Sequence, residues 1–174
     1  MTSQNLRDWR NWVTLAARLI LGITLIVAGI DKATNLTLSS TSVGAYRILP
    51  YSVSQVVGHV LPFAEIGLGL LLVIGLFTRI SGALGALLMV AFIIGIASVW
   101  IRGISIDCGC FGQGGPVSPE QAARQYPWEI IRDTGLLLCG LWLVIFGKPF
   151  FAADNWLFAP LDQIAASRDK KKRR

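Results

Sequence analysis

The sequence places two of its three cysteines one residue apart, in the segment Asp107-Cys108-Gly109-Cys110-Phe111-Gly112. Because only Gly109 separates them, the sulfurs of Cys108 and Cys110 can face one another. A disulfide between them would close a small ring, and strained disulfides have more oxidising potentials than structural ones. The spacing therefore favours a thiol pair that alternates between oxidised and reduced states over a structural bond.

Glu65 and His59 are candidates for a supporting role in this chemistry. Glu65 lies inside an apolar segment, where an ionisable side chain is costly and is usually functional. We expect Glu65 to be protonated or to pair with Arg132, Lys32 or Arg47, and a structural clamp between helices is the alternative. His59 could carry protons or bind a metal, although a lone histidine near a membrane interface is more often an ordinary hydrogen-bonding residue.

Charged residues near the cysteines are expected to set the reactivity of the thiols. Asp107 would disfavour a neighbouring thiolate, whereas Arg102 or Arg132 would favour it. Arg132 and Asp133 could instead pair across the helices or with Asp31-Lys32. In that case these charges are structural, although they could still orient the cysteine segment.

Cys139 is expected to stay apart from the cysteine pair, because it lies well inside an apolar segment. A free buried cysteine behaves as a small hydrophobic residue, and we predict that role for it. A metal site is the least favoured interpretation of the cysteines. Two thiolates, even with His59, make an incomplete zinc site, and the sequence has no Cys-x-x-Cys motif.

The composition indicates a membrane protein. Hydrophobic residues make up 53% and charged residues 15% of the chain, and the mean hydropathy is +0.59. A helix needs about 20 apolar residues to cross a hydrocarbon core of about 30 Å. On that basis the apolar segments predict four spans, 12–30, 56–77, 80–101 and 128–146. Short connections and small residues predict an all-α integral membrane fold, an antiparallel four-helix bundle whose first span is retained rather than cleaved.

The transmembrane domain is expected to cover residues 12–148. The remaining segments are an N-terminal tail, two outer loops and a basic tail, at 1–11, 31–55, 102–127 and 149–174. Most of the sixteen Lys and Arg residues lie on one side of this arrangement, which predicts that both termini are cytoplasmic. Cys108 and Cys110 would then lie outside the cytoplasm, where disulfides persist. We expect Lys170–Arg174 to contact anionic membrane lipids rather than nucleic acid, in a multi-pass protein of a bacterial cell membrane.

Several segments together resemble the MauE/DoxX-like family of redox-associated membrane proteins, over about residues 15–146. The matching segments are Gly29-Ile30-Asp31-Lys32-Ala33, Tyr46-Arg47-Ile48-Leu49-Pro50, Leu61-Pro62-Phe63-Ala64-Glu65 with Gly67 and Gly69, Gly75-Leu76-Phe77-Thr78-Arg79, Asp107-Cys108-Gly109-Cys110-Phe111-Gly112 and Arg132-Asp133. The resemblance implies a four-helix membrane protein associated with thiol redox chemistry outside the cytoplasm. Such proteins are similar in outline to membrane enzymes that generate disulfides and pass electrons to quinone. Those enzymes have a Cys-x-x-Cys pair and a second pair, whereas this chain has Cys-x-Cys and the remote Cys139.

Two function hypotheses remain from the sequence. In the first, Cys108 and Cys110 exchange electrons with a thioredoxin-like or disulfide-containing extracytoplasmic protein, as in a thiol–disulfide oxidoreductase. If the electrons continue into the membrane, a quinone near Glu65 and His59 is the expected acceptor. In the second, the chain is a non-catalytic assembly or scaffold subunit of a membrane complex. The Cys108–Cys110 bond would then only constrain its loop.

Overall fold

The computed structural model describes residues 3–107 and 115–146, with the backbone alone described for residues 3–8. Cys108, Cys110 and the basic tail lie outside the described residues. Five helices and one pair of short strands make up the described structure, which confirms the all-α class. They are α1 (Ser3–Ala33), α2 (Leu36–Ala45), α3 (Tyr51–Ile74), α4 (Thr78–Ile101), β1 (Ile106–Asp107), β2 (Gly115–Pro116) and α5 (Pro119–Phe146).

Three helices within the described ranges are long and apolar enough to cross a membrane. They are α1 from Trp9 to Ala33, α3 from Tyr51 to Ile74 and α4 from Thr78 to Ile101. The first half of α5 carries Glu129, Arg132 and Asp133 in addition to charges nearer its start, which reduces its apolar character. A fourth span in α5, and with it the cytoplasmic position of both termini, stays a prediction.

Capping residues mark the ends of several helices. Asn35 caps α2 by accepting the Leu38 N–H, and Pro50 is the N-cap residue of α3. Gly75 ends α3 in the left-handed conformation, which costs glycine little. Ser118 Oγ accepts the Gln121 N–H at 3.3 Å, so Ser118 caps α5, whose first residue is Pro119. As a result α5 begins well before the predicted fourth span and continues through Pro127.

The long helices form two closely packed pairs, α1 with α3 and α4 with α5, and α1 also contacts α5. Glycine permits the first close approach, because a Cβ on Gly69 of α3 would lie only 2.6 Å from the Gly22 carbonyl oxygen of α1. A Cβ on Gly140 of α5 would likewise lie 2.9 Å from the Ala86 Cβ of α4. By contrast, a Cβ on Gly67 would meet nothing within 4 Å. Gly69 and Gly140 thus permit close helix contacts, whereas Gly67 does not mark one.

Two apolar clusters form the core. The larger draws residues from all four long helices and includes Leu21, Leu72 and Leu143, each fully buried. The smaller lies where α4 ends and α5 begins, and consists of Ile96, Val99, Ile106, Ala122 and Tyr126. This second cluster, called the loop-base cluster below, packs against the strand that leads into the cysteine segment.

Candidate functional site

The two ends of the cysteine segment lie side by side. Strand β1 pairs with β2 in antiparallel register, with Ile106 opposite Pro116 and Asp107 opposite Gly115. The Val117 N–H donates to the Ser105 carbonyl oxygen at 3.2 Å and extends the pairing. Asp107 is half-buried and is the last described residue before the cysteines, while Cys108 and Cys110 themselves lie outside the described ranges. The backbone on either side of the cysteine segment is therefore held in place by this strand pairing.

Tyr126 fastens this strand pair to α5. Its hydroxyl accepts the Ile106 N–H at 2.9 Å and lies 2.8 Å and 2.9 Å from the carbonyl oxygens of Ile104 and Ile106, to which it can donate. The side chain is almost completely buried, and its ring lies 6.3 Å from that of Trp100 on α4. Sequence analysis did not identify Tyr126. The available signal was a tyrosine in a segment next to the cysteines, since a buried tyrosine hydroxyl requires a partner.

Arg102 ties the end of α4 to the turn after α2. Its guanidinium donates to the carbonyl oxygens of Tyr46 and Arg47, and its Nε donates to the Ser98 carbonyl oxygen at 3.1 Å. The sequence analysis considered Arg102 as a cation that would favour a thiolate. The structure assigns its guanidinium to three backbone carbonyls on α4 and the Tyr46–Arg47 turn.

Glu65 forms an ion pair with Lys32. The ammonium of Lys32 on α1 lies 2.7 Å and 2.9 Å from the two carboxylate oxygens of Glu65 on α3. Glu65 is fully buried, and the Lys32 side chain is 9% exposed. Of the three partners that the sequence allowed for Glu65, the structure selects Lys32. The Lys32 ammonium also lies 5.3 Å from the centre of the Phe92 ring, within the range of a cation–π contact.

A second ion pair lies beside the first. Arg132 on α5 donates from Nε and Nη2 to Asp133 Oδ1, at 2.9 Å and 2.8 Å. Both pairs line one void of about 10 Å³, which is close to the space that a single water molecule needs. Asp133 Oδ2 is buried without a hydrogen-bond partner among the described residues. We call Lys32, Glu65, Arg132 and Asp133 the charge cluster.

His59 and Cys139 lie apart from the charge cluster. His59 is exposed on α3, and its Nδ1 lies 2.8 Å from the Gln55 carbonyl oxygen in the preceding turn. It does not line the void beside Glu65. Cys139 is a free, half-buried thiol that packs against the larger apolar cluster. Both positions fit the hydrogen-bonding and packing roles that the sequence analysis preferred for these residues.

A larger cavity of about 470 Å³ opens between α1, α2, α3 and α4. Lys32 lines both this cavity and the void of the charge cluster. Most of the other residues that line the larger cavity are apolar, and they include Ile48 and Leu49 from the turn before α3. The sequence analysis did not identify this cavity.

Comparison with known proteins identifies the family. The family model described as Methylamine utilisation protein MauE matches residues 10–146. A curated relative from Paracoccus denitrificans, named Methylamine utilization protein MauE, is 31% identical over 103 residues. That match covers 59% of this chain and 55% of the relative, so the chain spans about half of the relative's length. No solved structure gives a significant match. With three helices apolar enough to span a membrane, the chain is a multi-pass bacterial membrane protein that belongs to the MauE family.

Proposed function

We propose that the chain exchanges electrons with a thioredoxin-like or disulfide-containing extracytoplasmic protein through Cys108 and Cys110. One observation carries the proposal. The strands on either side of the cysteine segment pair with each other and are held on α5 by the Tyr126 hydroxyl. A fixed base holds the two ends of the cysteine segment in one place, and a redox site that meets a partner protein needs a fixed attachment of this kind.

In the oxidising direction, the Cys108–Cys110 disulfide oxidises two thiols of the partner in two steps. A thiolate of the partner attacks one sulfur of the Cys108–Cys110 disulfide, the S–S bond breaks, and the other cysteine leaves as a thiolate. The partner's second thiolate then attacks the partner's own sulfur in the mixed disulfide. The partner leaves as a disulfide, and Cys108 and Cys110 remain as two thiols. Two electrons and two protons have moved to this chain. A lipid-soluble quinone that accepted both electrons and both protons would become a quinol.

Trapping of the mixed disulfide tests this proposal. With Cys108→Ser or Cys110→Ser, the resolving thiol is absent, and a covalent adduct with the partner should accumulate in cells. Cys139→Ser is the matched control and should trap nothing, because Cys139 packs with the larger apolar cluster. Absence of an adduct from both single variants, at normal membrane levels of the protein, would refute the exchange.

A non-catalytic assembly or scaffold subunit is the second candidate function. The fixed base of the cysteine segment favours this candidate too, since a loop that only docks a neighbouring subunit also benefits from a rigid attachment. Under this alternative, the double variant Cys108→Ser/Cys110→Ser keeps its protein associations and loses only stability. Co-purification tests this: a double variant that retains the membrane partners of the wild type supports the scaffold function, and one that loses them supports thiol exchange.

The name of the relative refers to methylamine utilization. We propose the thiol chemistry for this chain independently of that pathway, because the match covers only 55% of the relative. Growth of a deletion strain on methylamine as sole nitrogen source tests the pathway separately.

A further inference from the structure

The 470 Å³ cavity between α1, α2, α3 and α4 offers its occupant a mainly apolar wall. Its lining combines aliphatic and aromatic side chains with Lys32, Ser39 and Ser42. The two serine hydroxyls donate to backbone carbonyl oxygens, and the Lys32 ammonium contacts both carboxylate oxygens of Glu65. Because these polar groups already have partners within the protein, the cavity suits a hydrocarbon chain better than a ligand that needs several hydrogen bonds.

Two arginines, Arg47 and Arg102, lie at one surface of the membrane. The α4 span ends at Ile101, and Arg102 follows it directly. The α3 span begins at Tyr51, shortly after Arg47. Because only residues 75–77 join the other ends of α3 and α4, the two helices run antiparallel and both arginines lie at the same surface. Cationic side chains directly outside a span lie at the level of the lipid headgroups.

The turn that carries Arg47 also forms part of the cavity wall. Tyr46, Ile48 and Leu49 line the cavity, whereas Arg47 is exposed and has a φ of 49°, which is uncommon for a residue other than glycine. Ile48 and Leu49 are themselves exposed, so this side of the cavity faces lipid.

The Arg102 guanidinium lies against the same turn, because it donates to the carbonyl oxygens of Tyr46 and Arg47. With the bond from Nε to Ser98, three of its five N–H groups are used, and two remain for another acceptor. Neither arginine forms an ion pair with an acidic side chain within residues 3–107 and 115–146. The cavity thus has two positive charges beside its mouth that the described acidic residues do not neutralise.

We infer that this site binds an anionic phospholipid, with an acyl chain in the cavity and the phosphate beside Arg47 and Arg102. Guanidinium groups bind phosphate oxygens through paired, charge-assisted hydrogen bonds. A neutral apolar molecule would fill the cavity but would gain nothing from the two arginines. An anionic headgroup gains about fivefold in affinity from each arginine near the membrane surface. The inference concerns lipid binding alone and is independent of the thiol exchange proposed for Cys108 and Cys110.

Native mass spectrometry of the purified full-length protein in detergent micelles tests the headgroup part of the site. Dioleoylphosphatidylglycerol and dioleoylphosphatidylcholine have the same acyl chains, and we expect the anionic lipid to bind at least about tenfold more tightly. Arg47→Asn removes one charge and keeps a residue that tolerates a positive φ. It should weaken binding of phosphatidylglycerol about fivefold and leave phosphatidylcholine unchanged. Arg79→Asn is the matched control, because Arg79 is exposed at the opposite end of α4, and it should leave both affinities within about twofold.

A second pair of variants tests the acyl-chain part of the site. Ala91 lines the cavity from α4, so Ala91→Phe narrows it and should weaken binding of both lipids at least about tenfold. Ala83→Phe makes the same change at an exposed position of α4 that does not line the cavity, and it should leave both affinities within about twofold.

Three results would overturn the inference. Equal affinities of Arg47→Asn and Arg79→Asn for phosphatidylglycerol would place the preference for anionic lipid elsewhere on the chain. Equal affinities of Ala91→Phe and Ala83→Phe would place the acyl chain outside the cavity. Displacement of phosphatidylglycerol by decyl-ubiquinone at equal concentration would make the cavity a quinone site instead.

Discussion

The ammonium of Lys32 and the carboxylate of Glu65 join the last turn of α1 to the interior of α3, with nitrogen–oxygen distances of 2.7 Å and 2.9 Å. Glu65 has no exposed surface, so its charge depends on this partner. The same lysine lines the large cavity and the void shared with Arg132 and Asp133. Lys32 therefore borders both the ion pairs of the interior and the large cavity.

Removing one member of the Lys32–Glu65 pair should lower the free energy of unfolding more than removing both members. Lys32→Met leaves Glu65 buried without its cation, and we expect a loss of about 3–5 kcal/mol in the free energy of unfolding. The double variant Lys32→Met/Glu65→Leu should regain most of that loss, because neither charge is then buried. Denaturant unfolding in detergent, followed by circular dichroism, measures both. A double variant as unstable as Lys32→Met would show that the pair is not the source of the effect.

The Glu65→Gln variant distinguishes a role of Glu65 in proton transfer from a structural role between α1 and α3. Glutamine keeps the shape of the side chain and one acceptor oxygen for Lys32 but has no ionisable proton. We expect this variant to enter the membrane normally and to slow the reoxidation of Cys108 and Cys110 by about tenfold or more. Quenched alkylation after a reductant pulse measures that rate. An unchanged rate for Glu65→Gln, together with lost stability for Glu65→Leu, would make Glu65 a structural clamp.

Tyr126→Phe should loosen the base of the cysteine segment. The change removes the hydroxyl that serves Ile104 and Ile106 and leaves buried backbone groups unpaired, which costs about 1–3 kcal/mol. We expect faster alkylation of the reduced thiols, because the strand pair opens more often. Tyr51→Phe is the matched control, since Tyr51 is 79% exposed at the start of α3. Identical alkylation rates in the two variants would contradict the positioning role of Tyr126.

Gly69 and Gly67 provide a matched test of the α1–α3 contact. A Cβ at Gly69 would lie 2.6 Å from the Gly22 carbonyl oxygen, so Gly69→Ala should force the helices apart and cost about 1–3 kcal/mol. A Cβ at Gly67 meets nothing within 4 Å, and Gly67→Ala should be neutral or stabilise α3 by about 0.5–1 kcal/mol. Thermal unfolding of the two variants compares them directly. Equal destabilisation would argue against this close approach.

Local chemistry made part of the fold predictable. Ser118 followed by Pro119 is a helix-start pattern that depends on neighbouring residues alone, and α5 begins there, at Pro119. The apolar lengths of three helices follow in the same way from composition. The choice of Lys32 over Arg47 or Arg132 as the partner of Glu65 could not be made, because it depends on which helices pack together and how each is rotated.

The positioning of the candidate site was the least predictable part. Tyr126 reaches Ile104 and Ile106 from another element, and nothing in the linear pattern specifies that contact. The cavity likewise forms from Lys32, Tyr46 and Phe92, which come together only when α1, α2 and α4 are assembled. Such sites depend on tertiary packing, whereas cysteine spacing is visible in the sequence itself.

The redox state of Cys108 and Cys110 in intact cells tests the central claim most directly. Differential alkylation followed by mass spectrometry should find the pair mainly as a disulfide in growing cells. Dithiothreitol should convert it to two thiols, and removal of the reductant should restore the disulfide within minutes. Thiols that stay reduced throughout, or a disulfide that does not respond to the reductant in folded protein, would contradict a thiol–disulfide exchange function.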